Sequence, residues 1–316
     1  MKKYAVVLMN LGGPNSLETV QTFLENLFND PDIFKIPIFQ KSIAKLIAKK
    51  RAPKVVEEYR LIGGKSPIGE WTELQRSMLE KSLNKDEELF DVFIAMRYFK
   101  PYTHETIKKV QEQNYEKIIL FPLYPQYSFS TTKSSFNEWE RYYKGDKSKL
   151  IRINNFYQNK LYLKAINQRI DEALSKFSDP QSFYFLFSAH GIPLSYVKKG
   201  DPYQKQIEET MKLVMEIRNY SNPYSLAYQS KVGPMKWLEP ATDKEIRRLG
   251  ESGVRNLLVI PISFVSDHIE TLYELDIEYR KVAQESGVEN YIVMRGLNDS
   301  ELFIESIKEE IWKMLS

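Results

Sequence analysis

Seven short apolar runs punctuate the chain: Tyr4–Met9, Phe90–Met96, Lys117–Leu123, Phe183–Ser188, Tyr224–Gln229, Asn256–Pro261 and Tyr291–Met294. Each is strand-length and rich in β-branched or aromatic residues, and most are apolar on successive positions rather than alternate ones. Between them, apolar residues recur every three to four positions over Leu17–Asn26, Ile38–Lys49, Trp71–Leu83, Tyr162–Lys176, Gln204–Asn219, His268–Gln284 and Glu301–Leu315, which predicts helices. Strands alternating with helices read as βαβ units. Continuously apolar strands belong to parallel sheets covered on both faces. The expected class is therefore α/β.

A length of 316 residues suggests two domains, each able to bury its own core. No Gly-, Ser- or Pro-rich linker separates them. The weakly periodic, lysine-rich stretch Lys144–Lys149 and the residues after it, to Asn159, mark the expected boundary, giving lobes 1–155 and 156–316. The final helix either stays with the second lobe or returns to the first. No internal repeat is visible in the sequence, although two βαβ halves can fold alike without looking alike.

Composition narrows the chemistry. The chain has no cysteine and three histidines, His104, His190 and His268. Disulfides, thiolate zinc sites, cysteine-ligated iron–sulfur clusters and cysteine nucleophiles are excluded together. Any metal chemistry must use isolated imidazoles, carboxylates and tyrosines. A net charge of +3 gives no reason to expect nucleic acid as a partner. The opening MKKYAVVLMNLGGP has the lysines and apolar run of a signal peptide but breaks at Asn10 and Gly12, so it reads as a buried first strand. No run approaches the length needed to span a bilayer, and the expected location is the cytoplasm.

In open α/β sheets, ligands bind beyond the carboxyl ends of the strands. After the first run comes Asn10-Leu11-Gly12-Gly13-Pro14, which lacks the spacing of a dinucleotide fingerprint or P-loop and reads as a tight turn. After the next two come Arg97-Tyr98, then Tyr124-Pro125-Gln126-Tyr127-Ser128 and Ser130-Thr131-Thr132, an Arg and hydroxyls suited to a planar acidic ligand. His190 lies just past the fourth run, in a turn with Gly191 and Pro193. Beyond the sixth, Asp267, Glu270, Glu274 and Glu278 fall within a sector about 80° wide at 100° per residue, beside His268. Such a stripe is either a solvated face neutralised by lysines or a site for a divalent cation.

The segment Ile36–Lys54 places Phe39, Ile43, Leu46 and Ile47 on one helical face and Lys41, Lys45 and Lys49 on another. An apolar face with a basic flank suits peripheral contact with an anionic bilayer; the alternative is packing on its own domain.

Taken in order, these segments resemble ferrochelatase, the family that inserts ferrous iron into a porphyrin. The resemblance rests on Asn10–Pro14, Tyr59-Arg60, Ile62-Gly63-Gly64-Lys65-Ser66-Pro67-Ile68, Arg97-Tyr98, Tyr124–Ser128 with Ser130–Thr132, Ser188-Ala189-His190 and Gly200-Asp201-Pro202-Tyr203. Its two longest segments are Gln229-Ser230-Lys231-Val232-Gly233-Pro234-Met235-Lys236-Trp237-Leu238 and Ser266-Asp267-His268-Ile269-Glu270-Thr271-Leu272-Tyr273-Glu274-Leu275-Asp276.

The resemblance implies two Rossmann-like, chelatase-type lobes, each a parallel sheet flanked by helices, with a porphyrin cleft between them. It implies a lyase-class enzyme of haem biosynthesis that takes protoporphyrin IX and Fe²⁺ as substrates and releases two protons, with no permanently bound cofactor. The total absence of cysteine rules out the iron–sulfur cluster that some relatives carry. His190 takes the position of the active-site imidazole, base and metal ligand, with Glu270 and its partner His268 across the macrocycle and Glu274 as a further metal-ligand candidate. Leu11, Arg51, Tyr59, Ser66, Arg97 and Tyr98 fall where the family contacts the ring and its propionates; Tyr124, Tyr203, Trp237 and Phe264 fall at the cleft wall. The coproporphyrin-using branch carries Tyr where this chain has Leu11, which points to protoporphyrin. A monomer and a homodimer are both compatible. The competing readings are a cobalt or nickel chelatase for a precorrin-type ring, and a two-lobed carrier that binds tetrapyrrole or metal without catalysis.

Overall fold

The computed structural model describes residues 3–34, 39–231 and 235–316. It divides into unit 1, Met1–Phe156 with Ile304–Ser316, and unit 2, Tyr157–Phe303.

Unit 1 contains β1 (Tyr4–Asn10), β2 (Phe90–Met96), β3 (Lys117–Pro122) and β4 (Leu150–Arg152), all parallel in the order β2-β1-β3-β4. Its helices are α1 (Val20–Phe28), α2 (Gln40–Leu61), α3 (Ile68–Leu83), α4 (Thr103–Gln111) and α5 (Ser134–Tyr142). From Ala5 to Asn10 every residue of β1 is buried, as a central strand covered on both faces requires. Val7, Met9, Ala95 and Leu120 pack with Ile107 of α4 and with Phe136 and Trp139 of α5.

Unit 2 repeats the plan. Helices α6 (Lys160–Leu174), α7 (Leu194–Lys198), α8 (Tyr203–Ile217), α9 (Thr242–Glu251) and α10 (Tyr279–Glu285) accompany β5 (Tyr184–His190), β6 (Tyr224–Gln229), β7 (Asn256–Pro261) and β8 (Asn290–Val293). The sheet is again all parallel, in the order β6-β5-β7-β8. Leu186, Ala227, Leu257 and Val259 pack with Ile246 and Leu249 of α9 and with Ala283 of α10. The last helix, α11 (Glu301–Leu315), belongs to unit 1 from Ile304 onward. There Trp312 meets Phe90 edge to face at 5.4 Å, and Ser82 donates to Glu305.

Three expected strands, Phe90–Met96, Tyr224–Gln229 and Asn256–Pro261, have the observed limits. The pattern missed β4, whose three half-buried residues are too few to show a period. It also missed α4, α5, α7 and α9. Helix α9 buries only Thr242, Glu245, Ile246, Leu249 and Gly250, so its apolar signal is thin. The predicted helix His268–Gln284 is instead a π-helical segment, Glu270–Glu278, followed by α10. The helix expected at Ile38–Lys49 is the longer α2, and residues Ile36, Pro37 and Ile38 of that segment lie outside the described residues. So do Val232, Gly233 and Pro234 of the Gln229–Leu238 segment.

Candidate functional site

With strand order 2-1-3-4, the chain reverses its direction of winding between the first and third strands of each unit. That switch point is where an open α/β sheet receives a ligand. In unit 2 it falls at the carboxyl ends of β5 and β7, and the candidate chemistry gathers there.

His190 closes β5. Its backbone N–H donates to Ser263 Oγ at 3.0 Å, and its carbonyl accepts from the Tyr203 hydroxyl at 2.9 Å. The ring Nδ1 lies 2.8 Å from the Gly191 carbonyl oxygen. A carbonyl only accepts, so Nδ1 carries the proton and the neutral ring keeps its lone pair on Nε2. The next residue must be glycine: a Cβ on Gly191 would stand 2.9 Å from the Gln229 carbonyl oxygen and 3.3 Å from Trp237. Burial raises the Tyr203 phenol above its ordinary range, which keeps it a hydrogen-bond donor beneath His190.

His190 and His268 both stand in unit 2. Because β5 and β7 are neighbours, their following residues lie side by side, and one ring joins the imidazoles. Phe264 stands 6.1 Å from the His190 ring and 4.2 Å from the His268 ring, edge-on to both. His268 is buried, with Nδ1 2.9 Å from the Ser266 carbonyl, so Nδ1 again holds a proton. Its Nε2 approaches Glu270 Oε2 at 3.0 Å, close enough for an ion pair but without the alignment of a hydrogen bond.

The acidic row is not one cation cage. A π-helical turn holds between four and five residues, so each fourth residue falls just short of a full turn and Glu270, Glu274 and Glu278 stay on one face. What divides the row is the separate contacts of each carboxylate. Asp267 is buried and accepts from Asn298 Nδ2 at 2.7 Å, Gly296 N at 3.0 Å and Thr271 Oγ1 at 3.0 Å. Glu270 faces His268. Glu274 accepts from Ser230 N at 2.8 Å, from the Ser230 hydroxyl, from Tyr279 OH at 2.6 Å and from Gln229 Nε2 at 3.2 Å. Its carboxylate thus fastens Ser230, which sits at φ +65°. Among the described residues, no group of three or more histidine, aspartate or glutamate side chains is arranged to hold a metal ion.

In unit 1, Leu11 is half-buried after β1, and the glycines beside it serve close approach of the chain to itself. A Cβ on Gly13 would fall 2.5 Å from Ser66 Cβ, and one on Gly12, at φ +80°, 3.1 Å from Met96 and Phe99. Ser66 and Tyr59 are buried, while Arg51 is exposed, 5.6 Å above the Phe28 ring. Arg97 and Tyr98, expected at the propionates, face inward. Arg97 pairs with Asp30 at 2.9 Å and Glu138 at 3.3 Å, and its Nε donates to Ser134 Oγ at 3.0 Å. The Tyr98 hydroxyl donates to Asp30 at 2.7 Å, and burial followed by that carboxylate raises the phenol well above its usual range. Tyr124 is buried too, its hydroxyl 3.4 Å from Ser135 Oγ.

Gln229, Ser230, Ser263 and Asp30 escaped the sequence reading as functional candidates. Ser263 was findable, standing two residues past β7. Asp30 follows a helix rather than a strand, so the strand-end rule passes over it.

A family model described as Ferrochelatase matches residues 3–315. Ferrochelatase from Aquifex aeolicus is 49% identical, covering 98% of this chain and 98% of its own length. Those from Gloeobacter violaceus, at 44%, and Gloeothece citriformis, at 46%, cover 98% and 100% of this chain and 97% and 84% of their own. Among solved structures, the sirohydrochlorin chelatase SirB from Bacillus subtilis subspecies spizizenii, in complex with cobalt, aligns with TM-score 0.57 at 8% identity, over 99% of this chain and 95% of its own. The siroheme enzyme CbiX from denitrifying bacteria aligns with TM-score 0.54 at 12% identity over the full length of both. At those identities the structures speak for the two-sheet fold alone. The family match and the relatives together make the chain a member of the ferrochelatase family.

Proposed function

We propose that the ferrochelatase reaction of this chain is carried at the strand ends of unit 2, with His190 as the base and a ligand to the incoming metal. The reaction is insertion of Fe²⁺ into protoporphyrin, the terminal step of haem biosynthesis. Two pyrrole N–H bonds break, their electron pairs form bonds to iron, and two protons leave. Each needs an acceptor of near-neutral basicity.

The observation that carries the reading is the fixed tautomer of His190. With Nδ1–H held by the Gly191 carbonyl, Nε2 offers its lone pair to a pyrrole proton or to Fe²⁺, and the carbonyl still receives Nδ1–H once the ring is cationic. The second acceptor is the His268–Glu270 pair. Glu270 Oε2 stands 3.0 Å from His268 Nε2, so the pair sets two basic atoms side by side at one place. Glu274 acts on this chemistry through Ser230 and Gln229 rather than by binding iron.

In unit 1 we assign Leu11, Arg51, Tyr59 and Ser66, with Arg97, Tyr98 and Tyr124 behind them, to binding the porphyrin. In unit 2 we assign Phe264 and Tyr203, which contact His190, and Trp237, which stands against the following Gly191, to the same site. Leu11 makes protoporphyrin IX the preferred ring over coproporphyrin III. The face of α2 supports peripheral contact with an anionic bilayer: Ala44, Ala48 and Ala52 are buried towards α1, which leaves Phe39 75% and Leu46 69% exposed among lysines. Co-sedimentation with vesicles containing anionic lipid, lost in a Phe39→Ser, Leu46→Ser variant, tests that contact. No helix among the described residues is long and apolar enough to cross a membrane.

The central test follows the loss of free protoporphyrin fluorescence on adding Fe²⁺, or Zn²⁺ as an air-stable surrogate. His190→Ala is expected to abolish insertion while porphyrin still binds; insertion at the wild-type rate by that variant overturns the assignment. Faster turnover of coproporphyrin III than of protoporphyrin IX overturns the ring preference.

A further inference from the structure

Asp30 stands outside every strand end and outside the metal chemistry. Yet it is the most fully committed carboxylate in unit 1, with a side chain 0% exposed. Oδ2 accepts from the Tyr98 hydroxyl at 2.7 Å and from Ser134 Oγ at 2.6 Å. Oδ1 pairs with Arg97 Nη2 at 2.9 Å and accepts from Asp32 N at 2.8 Å. A buried carboxylate is tolerated only when its charge is met and its lone pairs are filled, and here both conditions hold.

The partners it gathers have something in common. Arg97 and Tyr98 are two of the porphyrin-binding candidates, and their backbones hold a third region. Arg97 N donates to Asn10 O at 2.8 Å, and Tyr98 N to Leu11 O at 2.9 Å. The bond from Asp32 N ends α1 in a turn, and the Asp30 carbonyl accepts from Phe34 N at 2.8 Å, fixing the departure of the chain towards α2, which carries Arg51 and Tyr59.

We propose that Asp30 is a positioning residue for porphyrin binding: one buried carboxylate fixes Arg97 and Tyr98 behind Leu11, and so sets that part of the unit 1 surface without touching the substrate. This rests on the reading that Leu11, backed by Arg97 and Tyr98, belongs to the porphyrin-binding surface.

Asp30→Asn keeps the shape and removes the charge. An amide nitrogen would meet either the Arg97 guanidinium or two hydroxyl donors, so Arg97 loses its closest counter-ion. With Zn²⁺ and protoporphyrin IX, the expected result is a KM for porphyrin about tenfold higher with kcat within about threefold, the loss of one or two charge-assisted bonds. Tyr98→Phe, which removes a single donor, should raise KM about threefold by the same reasoning. A variant that merely weakens the fold lowers the melting temperature and leaves KM alone; that result for Asp30→Asn overturns the proposal, as does a fall in kcat at constant KM. If Asp30→Asn does not fold, an unchanged KM in Tyr98→Phe overturns it instead. Leu11→Arg separates the two readings. Should it leave KM unmoved, the porphyrin-surface reading falls and takes the proposal with it. Should it raise KM while Asp30→Asn does not, only the role of Asp30 falls.

Discussion

Units 1 and 2 share one strand order, one polarity of sheet and one switch point, yet they use their strand ends in opposite ways. In unit 2 the residues that close β5 and follow β7 keep reactive atoms available: with Nδ1–H held by the Gly191 carbonyl the lone pair of the neutral His190 ring falls on Nε2, and His268 Nε2 faces Glu270. In unit 1 the residues after β2 and β3 turn their polar groups inward, Arg97 and Tyr98 to Asp30 and Tyr124 towards Ser135. On the function proposed above, the same fold serves chemistry in one copy and rigid shape in the other. What differs is the partner supplied from outside the sheet. A backbone carbonyl beside an imidazole fixes a tautomer and frees the other nitrogen, whereas a buried aspartate beside an arginine saturates it.

The most direct way to break this division is to remove the free nitrogen. His190→Ala should lower metal insertion by about 10³-fold or more, the scale of a lost general base and ligand, with porphyrin affinity retained by fluorescence titration. Next comes Glu270→Gln, which replaces the carboxylate facing His268 Nε2 by a group that cannot hold the proton as an anion. A fall in kcat of about 10²-fold with little change in melting temperature is expected; equal activity would show that unit 2 needs only one acceptor. A smaller effect separates fastening from metal binding at Glu274. Glu274→Gln keeps an oxygen for Ser230 and Tyr279 and should cost about tenfold in kcat, with the KM for Zn²⁺ unchanged. A rise in metal KM alone would restore Glu274 as a ligand.

The smallest expected effect lies away from both strand ends, in the framework of unit 2. The hydrogen bond from the Arg248 guanidinium holds the Glu245 carboxyl below the usual carboxylate range, with further help from Ser225. The folded value is depressed, so the stabilisation is present above the unfolded value of about 4.3 and is lost as pH falls through the folded value. Because Arg248 is 60% exposed, solvent screening limits the gain to about 0.5–1 kcal/mol. Glu245→Gln should flatten the acid limb of a urea-unfolding profile by that amount, its cost greatest near neutral pH and shrinking as the pH falls.

Much of this was legible in the chain. Short, nearly continuous apolar runs located seven of the eight strands among the described residues, because parallel strands covered on both faces, such as Asn256–Pro261, are mostly apolar. The strand-end rule then led to His190 and His268 without any geometry. The pattern failed where few apolar residues anchor an element, as in α9, and where turn width matters. An α-helical wheel gathers Asp267, Glu270, Glu274 and Glu278 into one stripe, but each carboxylate has its own partners, which no wheel can show. Asp30 was silent for another reason. Its partners Arg97, Tyr98 and Ser134 lie 67 to 104 positions away, a separation no local period can encode.

The sequence alone determined the α/β class, the position of each candidate imidazole at a strand end and, by containing no cysteine, the absence of a cysteine-ligated cluster. It could do so because burial, chain polarity and side-chain chemistry are properties of single residues and their near neighbours. Only the tertiary structure decided which nitrogen of His190 is free, that Phe264 joins the two histidines, that Glu274 fastens Ser230, and that Arg97 belongs to Asp30. Each of these depends on which oxygen or ring stands within about 3 to 6 Å. That distance is set by strands pairing across the sheet and by loops closing on residues far along the chain.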